Sequence, residues 1–123
     1  PGPLTLVVRA LPSLPPEISG GQGTVGMRVP GLALPRRLAA ALGRPISGVS
    51  SNHHRRPAHR NAVEVFQDFP EGLDLILDGG PTPGGAPSTV VDLTTKRPRV
   101  LRHGTLPATV FEPFLPGLEL QGS

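Results

Sequence analysis

A chain of 123 residues is long enough for one hydrophobic core and too short for two. It has no cysteine, which excludes a disulfide frame and a thiolate zinc site. No apolar run approaches the roughly 20 residues that span a bilayer, and the opening PGPLTLVVRA has neither the charged head nor the cleavage site of a secretory signal, so a cytoplasmic protein is expected. Lys and Arg outnumber Asp and Glu 12 to 9, a net charge of +3 carried almost wholly by arginine. That suits phosphate-bearing partners, whereas four aromatic residues, all Phe, are too few for a base-stacking surface.

Leu4 to Val8 is the first expected strand, entered from Pro1-Gly2-Pro3 without a methionine, as if cut from something longer. Arg9 to Gly23, punctuated by Pro12, Pro15, Pro16, Gly20, Gly21 and Gly23, has no usable periodicity and reads as a surface connection. Thr24 to Val29 is the next strand. Its alternation puts Val25, Met27 and Val29 on one face and Thr24, Gly26 and Arg28 on the other, where a small residue between a hydroxyl and a guanidinium makes a shallow trough.

Pro35 to Leu42 reads as a helix, with Leu34, Leu38, Ala41 and Leu42 at helical spacing, Pro35 in the first turn, and Gly43 and Pro45 as the stop. Arg36 and Arg37 lie off the apolar stripe and read as solvated. Pro45 to Val49 is a candidate buried strand delivering Ser50-Ser51-Asn52 into a loop. A Ser-x-Asn at a strand's carboxyl end suits a ligand in an α/β sheet, and equally suits a plain turn.

In His53-His54-Arg55-Arg56-Pro57-Ala58-His59-Arg60, the break before Pro57 and the lack of a neighbouring carboxylate argue against a metal site. Adjacent arginines there suit phosphates or bulk solvent alike. Asn61 begins a short helix with Glu64 at the capping-box position and Ala62, Val65, Phe66 and Phe69 on one side.

Leu73 to Leu77 and Ser88 to Leu93 read as two strands facing each other across a Gly/Pro-rich connection opened by Asp78-Gly79-Gly80. Ser88 and Thr89 then stand at the rim of a sheet, either beside a ligand or merely starting a strand. Arg99 to Arg102 is a last short strand ending at His103-Gly104. From Thr105 to Ser123 only Val110, Phe111, Phe114 and Leu115 suggest a packing turn, so residues 105–123 read as a C-terminal tail.

Taken in order, PGPLT, TVGMRVP, a helix ending ALGRP, a Ser-x-Asn loop, LILDGG, STVVDLT and VLRHG resemble the YrdC-like domain of the L-threonylcarbamoyl-AMP synthases, from Pro1 to about Gly104. The most specific part is STVVDLT after a Gly/Pro loop, followed by the arginine of VLRHG. The resemblance implies an α/β (α+β) fold with a twisted mixed sheet, flanking helices and a basic concave cavity. It implies a nucleotidyltransferase that makes threonylcarbamoyl-AMP and pyrophosphate from L-threonine, bicarbonate and ATP, with magnesium screening the triphosphate, for modification of an adenosine in certain tRNAs. The tRNA would meet the basic surface.

By the same resemblance Thr24, Ser50, Asn52 and Arg102 are expected to bind ATP, and Arg28, Gly48 and Ser88 to bind threonine, all facing one cavity. Asn52 would orient either its loop or the ligand, and Thr5 would lie at the cavity wall. No nucleophile is implied: a carbamate attacking the α-phosphate needs three anionic groups held together, which guanidinium forks and hydroxyls do. No protein metal ligand is expected.

The chain departs from the family's pattern at three points. His53 to Arg56 and Ala58 stand where small residues and a serine are usual, and Pro87 replaces an acidic residue. The Lys-x-Arg element precedes Pro1, so the resemblance implies a partial domain at residues 1–104 and an isolated chain without turnover. Two other readings are a carbamoyl-adenylate-forming domain of a hydrogenase-maturation carbamoyltransferase and a non-catalytic RNA-binding relative.

Overall fold

The computed structural model describes residues 1–53, 55–82 and 84–120. His54, within the basic run, Pro83, in the Gly/Pro-rich connection, and the last three residues of the tail lie outside the described residues. The chain forms two units, one of Pro1–Gly43 with the segment from Ala86 onward, the other of Arg44–Gly85.

The larger unit is built on a five-stranded mixed sheet. In chain order its strands are β1 (Leu4–Arg9), β2 (Thr24–Met27), β3 (Thr89–Asp92), β4 (Arg99–Arg102) and β5 (Glu119–Leu120), with spatial order β2-β1-β3-β4-β5. β1 runs antiparallel to β2 and parallel to β3, β3 antiparallel to β4, and β4 parallel to β5. Its helices are α1 (Pro16–Ser19), α2 (Ala33–Leu42) and a turn here called α4 (Ala108–Phe111); α3 (Ala62–Asp68) belongs to the other unit. The α/β class is as expected. No helix among the described residues is long and apolar enough to cross a membrane.

One face of the sheet carries the core. Val91 and Val100 have no exposed surface and Phe111 is 5% exposed; Leu4, Leu6, Leu93, Leu106, Ala108, Leu115 and Leu118 pack around them. The β3–β4 register explains why both faces work. Val90 pairs with Arg102 and Val91 with Val100, leaving Leu101 as an extra residue. A bulge of this kind re-aims side chains, so Val100 faces the core while Arg102 faces the opposite side. The segment beyond Gly104 is packed on this sheet, through Phe111 in the core and β5 on the edge.

Three expectations about the elements change. Leu73 to Leu77 forms no strand, and its leucines are 48%, 73% and 49% exposed. The reason is topological: β1 and β4 occupy both edges of β3, so no edge remains to pair with Leu73–Leu77. Pro45 to Val49 is likewise not a strand, with Val49 92% exposed. Within Arg9–Gly23, Pro16–Ser19 forms a helical turn closed by Gly20 in the left-handed region.

The helix expected at Pro35 to Leu42 forms as α2, ended by Gly43 at φ 65°, but among the described elements it does not pack on a strand. Leu34, Leu38 and Leu42 stay about half exposed. Arg36, expected to be solvated, is half-buried and donates from Nη1 to the carbonyls of Pro30 and Gly31 at 2.9 and 3.1 Å. α2 is therefore tied to the loop before it by a guanidinium, not by its apolar stripe.

Candidate functional site

The polar face of the sheet follows from the register. Val7 pairs with Gly26 and Arg9 with Thr24, Thr5 with Val90, and Val90 with Arg102. Paired residues share a face and alternate residues along a strand do too, so Thr5, Thr24, Gly26, Ser88 and Arg102 lie on the side away from the core. Of the expected trough, Thr24 and Gly26 share this face, whereas β2 ends at Met27 instead of Val29 and leaves Arg28 just beyond it. A Cβ at Gly26 would stand 3.2 Å from Thr5 Cγ2, so the floor there is already in contact.

At one end of this face three side chains meet. The hydroxyls of Thr5 and Ser88 are 2.8 Å apart across the parallel pair β1/β3. Arg102 donates from Nε and Nη2 to the Ser88 carbonyl at 3.1 and 2.9 Å, and from Nη2 to the Ser88 hydroxyl at 3.2 Å. Ser88 is 9% exposed, so two residues fix its hydroxyl and leave a single direction open. Arg28, just past β2, is exposed and donates from Nε to the Gly2 carbonyl at 2.9 Å. That bond holds the stem of the guanidinium and leaves its two terminal nitrogens for a two-point contact with an oxyanion. Thr24 sits at the other end of β2, four residues or roughly 13 Å from Arg28 at about 3.3 Å per strand residue.

Thr89 turns to the core face and is 1% exposed. Its hydroxyl donates to the Leu106 carbonyl at 2.6 Å and accepts the Gly104 N–H at 3.1 Å. A Cβ on Gly104 would lie 2.2 Å from the Pro87 carbonyl oxygen. The Ser88 corner is therefore clamped from behind by the VLRHG turn.

At the far end of β3, Asp92 is 5% exposed. One carboxylate oxygen accepts from the Thr94 hydroxyl and N–H at 2.6 and 2.8 Å, and the other from Arg99 at 3.2 Å. The Thr94 hydroxyl and N–H, helped by Arg99 and opposed by burial, hold its carboxyl below the usual range. Both oxygens are thus committed. Among the described residues no group of three His, Cys, Asp or Glu is arranged to hold a metal ion. These donors do not form a magnesium site.

The Arg44–Gly85 unit carries the other expected residues. Gly48 and Ser50 are exposed and lie outside any helix or strand. Asn52 donates from Nδ2 to the carbonyls of His53 and Arg56 at 3.1 and 2.8 Å, bracing a turn closed by Arg56 N–H to His53 O at 2.9 Å. The Nδ2 side of Asn52 thus braces its own loop, while its buried Oδ1 has no hydrogen-bond partner among the described residues. Arg55 takes φ 66° in that turn, an uncommon conformation for a residue with a side chain.

α3 begins as expected. Asn61 Oδ1 accepts the Glu64 N–H at 2.9 Å, and Glu64 accepts from the Asn61 side chain at 2.8 Å and the Arg60 N–H at 2.9 Å. The Arg60 bond is the chief reason the Glu64 carboxyl sits below its usual range. The carboxylate missing from the His-rich run is supplied by this helix: His59 Nε2 is 2.7 Å from Asp68 Oδ2.

Thr89, expected at the rim beside Ser88, instead starts β3 on the core face, and Thr5, Asp92 and Gly104 are residues that sequence reasoning left without a specified role. For Thr5 the signal was a hydroxyl at the first turn of a strand. It becomes meaningful only once β1 is known to lie beside β3.

The comparisons agree with this architecture. The Sua5/YciO/YrdC family model, described as telomere recombination, matches residues 1–104. The chain is 40% identical over 112 residues to a threonylcarbamoyl-AMP synthase of Pyrococcus abyssi, covering 91% of this chain and 33% of that protein. It is 36% identical over 105 residues to a threonylcarbamoyl-AMP synthase of Bacillus subtilis, covering 85% and 30%. The crystal structure of P. abyssi Sua5 complexed with L-threonine superposes with TM-score 0.86 at 37% identity, over 98% of this chain and 36% of that one. E. coli YciO superposes with TM-score 0.76 at 30% identity, over 90% and 54%. The chain thus spans about a third of the length of the synthases it matches. With a family match over residues 1–104 and the same mixed sheet in solved relatives, the chain belongs to the Sua5/YciO/YrdC family.

Proposed function

We propose that this chain supplies threonine-binding and ATP-binding groups of an L-threonylcarbamoyladenylate synthase, which joins L-threonine, bicarbonate and ATP into threonylcarbamoyl-AMP and pyrophosphate for tRNA modification. The observation that carries the reading is the Ser88 corner, where a hydroxyl held by Thr5 and Arg102 belongs to the same face as the Thr24–Gly26 trough. The names of the relatives and the threonine complex of a similar structure support it.

In this reading Ser88 and Arg28 hold threonine, Arg28 taking the carboxylate on its two terminal nitrogens, and Gly48 is a further threonine-binding residue by the family resemblance. Thr24, Ser50 and Arg102 contact ATP. Arg102 has Nε and Nη2 on Ser88, so it offers Nη1 to a phosphate and serves mainly to fix the serine. Asn52 acts by shaping the Ser50 loop. Positioning of anions by guanidinium and hydroxyl groups is the whole contribution of these residues.

The test is ligand titration of the chain by calorimetry and by backbone amide shifts, with L-threonine and ATP in turn. Threonine is expected to shift the amides around Ser88 and Arg28, and Ser88→Ala to weaken it on the order of tenfold, or about 1.4 kcal/mol. Absence of any threonine or ATP response in the folded chain overturns the reading.

A further inference from the structure

We propose that His59 is a positioning residue for the Ser50–Asn52 segment, acting through Asp68. The role assigned to the segment rests on the function proposed above; the mechanical claim does not. No described residue of Arg44–Gly85 is buried, so this unit has no sealed apolar core to set the course of its loops. Its order must come from specific contacts, and those near Ser50 converge on the end of α3.

His53 and His59 both lie on Phe69. The His53 ring is 4.7 Å from it, tilted by 34°, and the His59 ring is 6.4 Å away, edge-on. His59 also reaches Asp68 at 2.7 Å, with its side chain only 16% exposed. A carboxylate only accepts, so Nε2 carries the proton in that bond. Nδ1 faces Glu64 Oε2 at 3.9 Å, and the Glu64 carboxylate is itself tied to the Arg60 N–H and the Asn61 amide.

His53 and His59 therefore both rest at the C-terminal end of α3, His53 on Phe69 and His59 on Phe69 and Asp68. Asn52 is fastened between these anchors, at the Arg56 carbonyl. Two anchors fix a short loop far more narrowly than one, because each removes closure freedom that the other leaves. Of the two, the His53–Phe69 contact is a ring contact alone. The His59–Asp68 bond adds direction, and it is the one that sets where Arg56, and through it Asn52 and Ser50, stand.

The experiment measures amide hydrogen exchange of residues 50–56 in the chain, with α3 monitored by its own carbon shifts, and then ATP and threonine affinity. His59→Ala is expected to speed exchange of the segment on the order of tenfold, or about 1.4 kcal/mol of local opening, and to weaken ATP several-fold while threonine binding holds. Asp68→Asn should do part of the same. His59→Gln, whose amide can place a donor near the same point, should restore most of both effects, which a loss of general stability would not allow. Should His59→Ala melt α3, the comparison of His59→Gln with Asp68→Asn decides. Unchanged exchange in His59→Ala, or His59→Gln and Asp68→Asn each leaving residues 50–56 as protected as the parent, overturns the proposal. If the parent chain binds no ATP, the functional reading fails, and the exchange rates still decide the role of His59.

Discussion

Gly104 and Thr89 are packed directly against each other: the Gly104 N–H donates to the Thr89 hydroxyl at 3.1 Å, and a Cβ on Gly104 would meet Thr89 N at 2.4 Å and Pro87 O at 2.2 Å. The atoms in the way are backbone of Pro87 to Thr89, where the chain enters β3, and backbone cannot rotate aside as a side chain can. Gly104→Ala is therefore expected to cost about 3 kcal/mol, the upper end of an overpacking penalty, with loss of the Ser88 corner. Urea unfolding checks this, and a change under about 0.5 kcal/mol, the scale of an ordinary surface substitution, would mean the turn has room that its geometry denies.

Asp92 should make the unit acid-sensitive in a predictable direction. Its folded carboxyl titrates below the usual carboxylate range, chiefly because of the Thr94 hydroxyl. A depressed carboxyl contributes stability that is fully present above its unfolded pKa and is lost as pH falls through the folded one. Unfolding free energies of the parent and Asp92→Asn should therefore differ by a constant amount at about pH 6 and converge toward about pH 2. A difference that does not change across that range would show that the carboxylate is not stabilised as the Thr94 and Arg99 contacts require.

Arg36 and Arg37 are neighbours in sequence with different expected costs. Arg36 donates to two carbonyls of the loop before α2, whereas Arg37 is exposed. Arg36→Ala should cost about 1 to 2 kcal/mol, from bonds to a charged donor that is partly solvated, and Arg37→Ala close to nothing. Thermal unfolding of the two variants separates them, and equal values would return Arg36 to the solvent.

How legible all this was depended on how local the cause was. Gly43 stopping α2 and Asn61 with Glu64 starting α3 are contacts within a few residues, and they could be read directly. The strand at Ser88 was readable from its β-branched residues, but its partner was not. Alternating Leu73, Leu75 and Leu77 look like a strand because periodicity records a tendency, whereas pairing needs a free edge, and β1 and β4 had taken both edges. The bulge at Leu101 and the contact of Gly104 with the Pro87 backbone are long-range facts of the same kind. For the site, Thr24, Arg28, Ser88 and Arg102 could be named from the family resemblance. The Thr5–Ser88 bond could not, since it joins residues 83 apart in sequence.

On the function proposed above, the arginines of the polar face are expected to divide between the two ligands. Arg28 is fastened only by Nε, to Gly2, so its terminal nitrogens stand ready for a carboxylate; Arg102 has most of its guanidinium on Ser88. Arg28→Ala should weaken threonine on the order of tenfold, about 1.4 kcal/mol, and leave ATP unchanged, with Arg28→Lys recovering only part because a point charge cannot reproduce a two-point fork. Arg102→Ala should weaken both ligands, ATP by the lost phosphate contact and threonine because the Ser88 hydroxyl is no longer held. Arg37→Ala should affect neither. The measurement is a pair of titrations per variant, and the informative quantity is the ratio of the two losses. If Arg102→Ala lowers ATP affinity and leaves threonine untouched, the arginine is a phosphate ligand alone and its bonds to Ser88 do not position the serine for threonine.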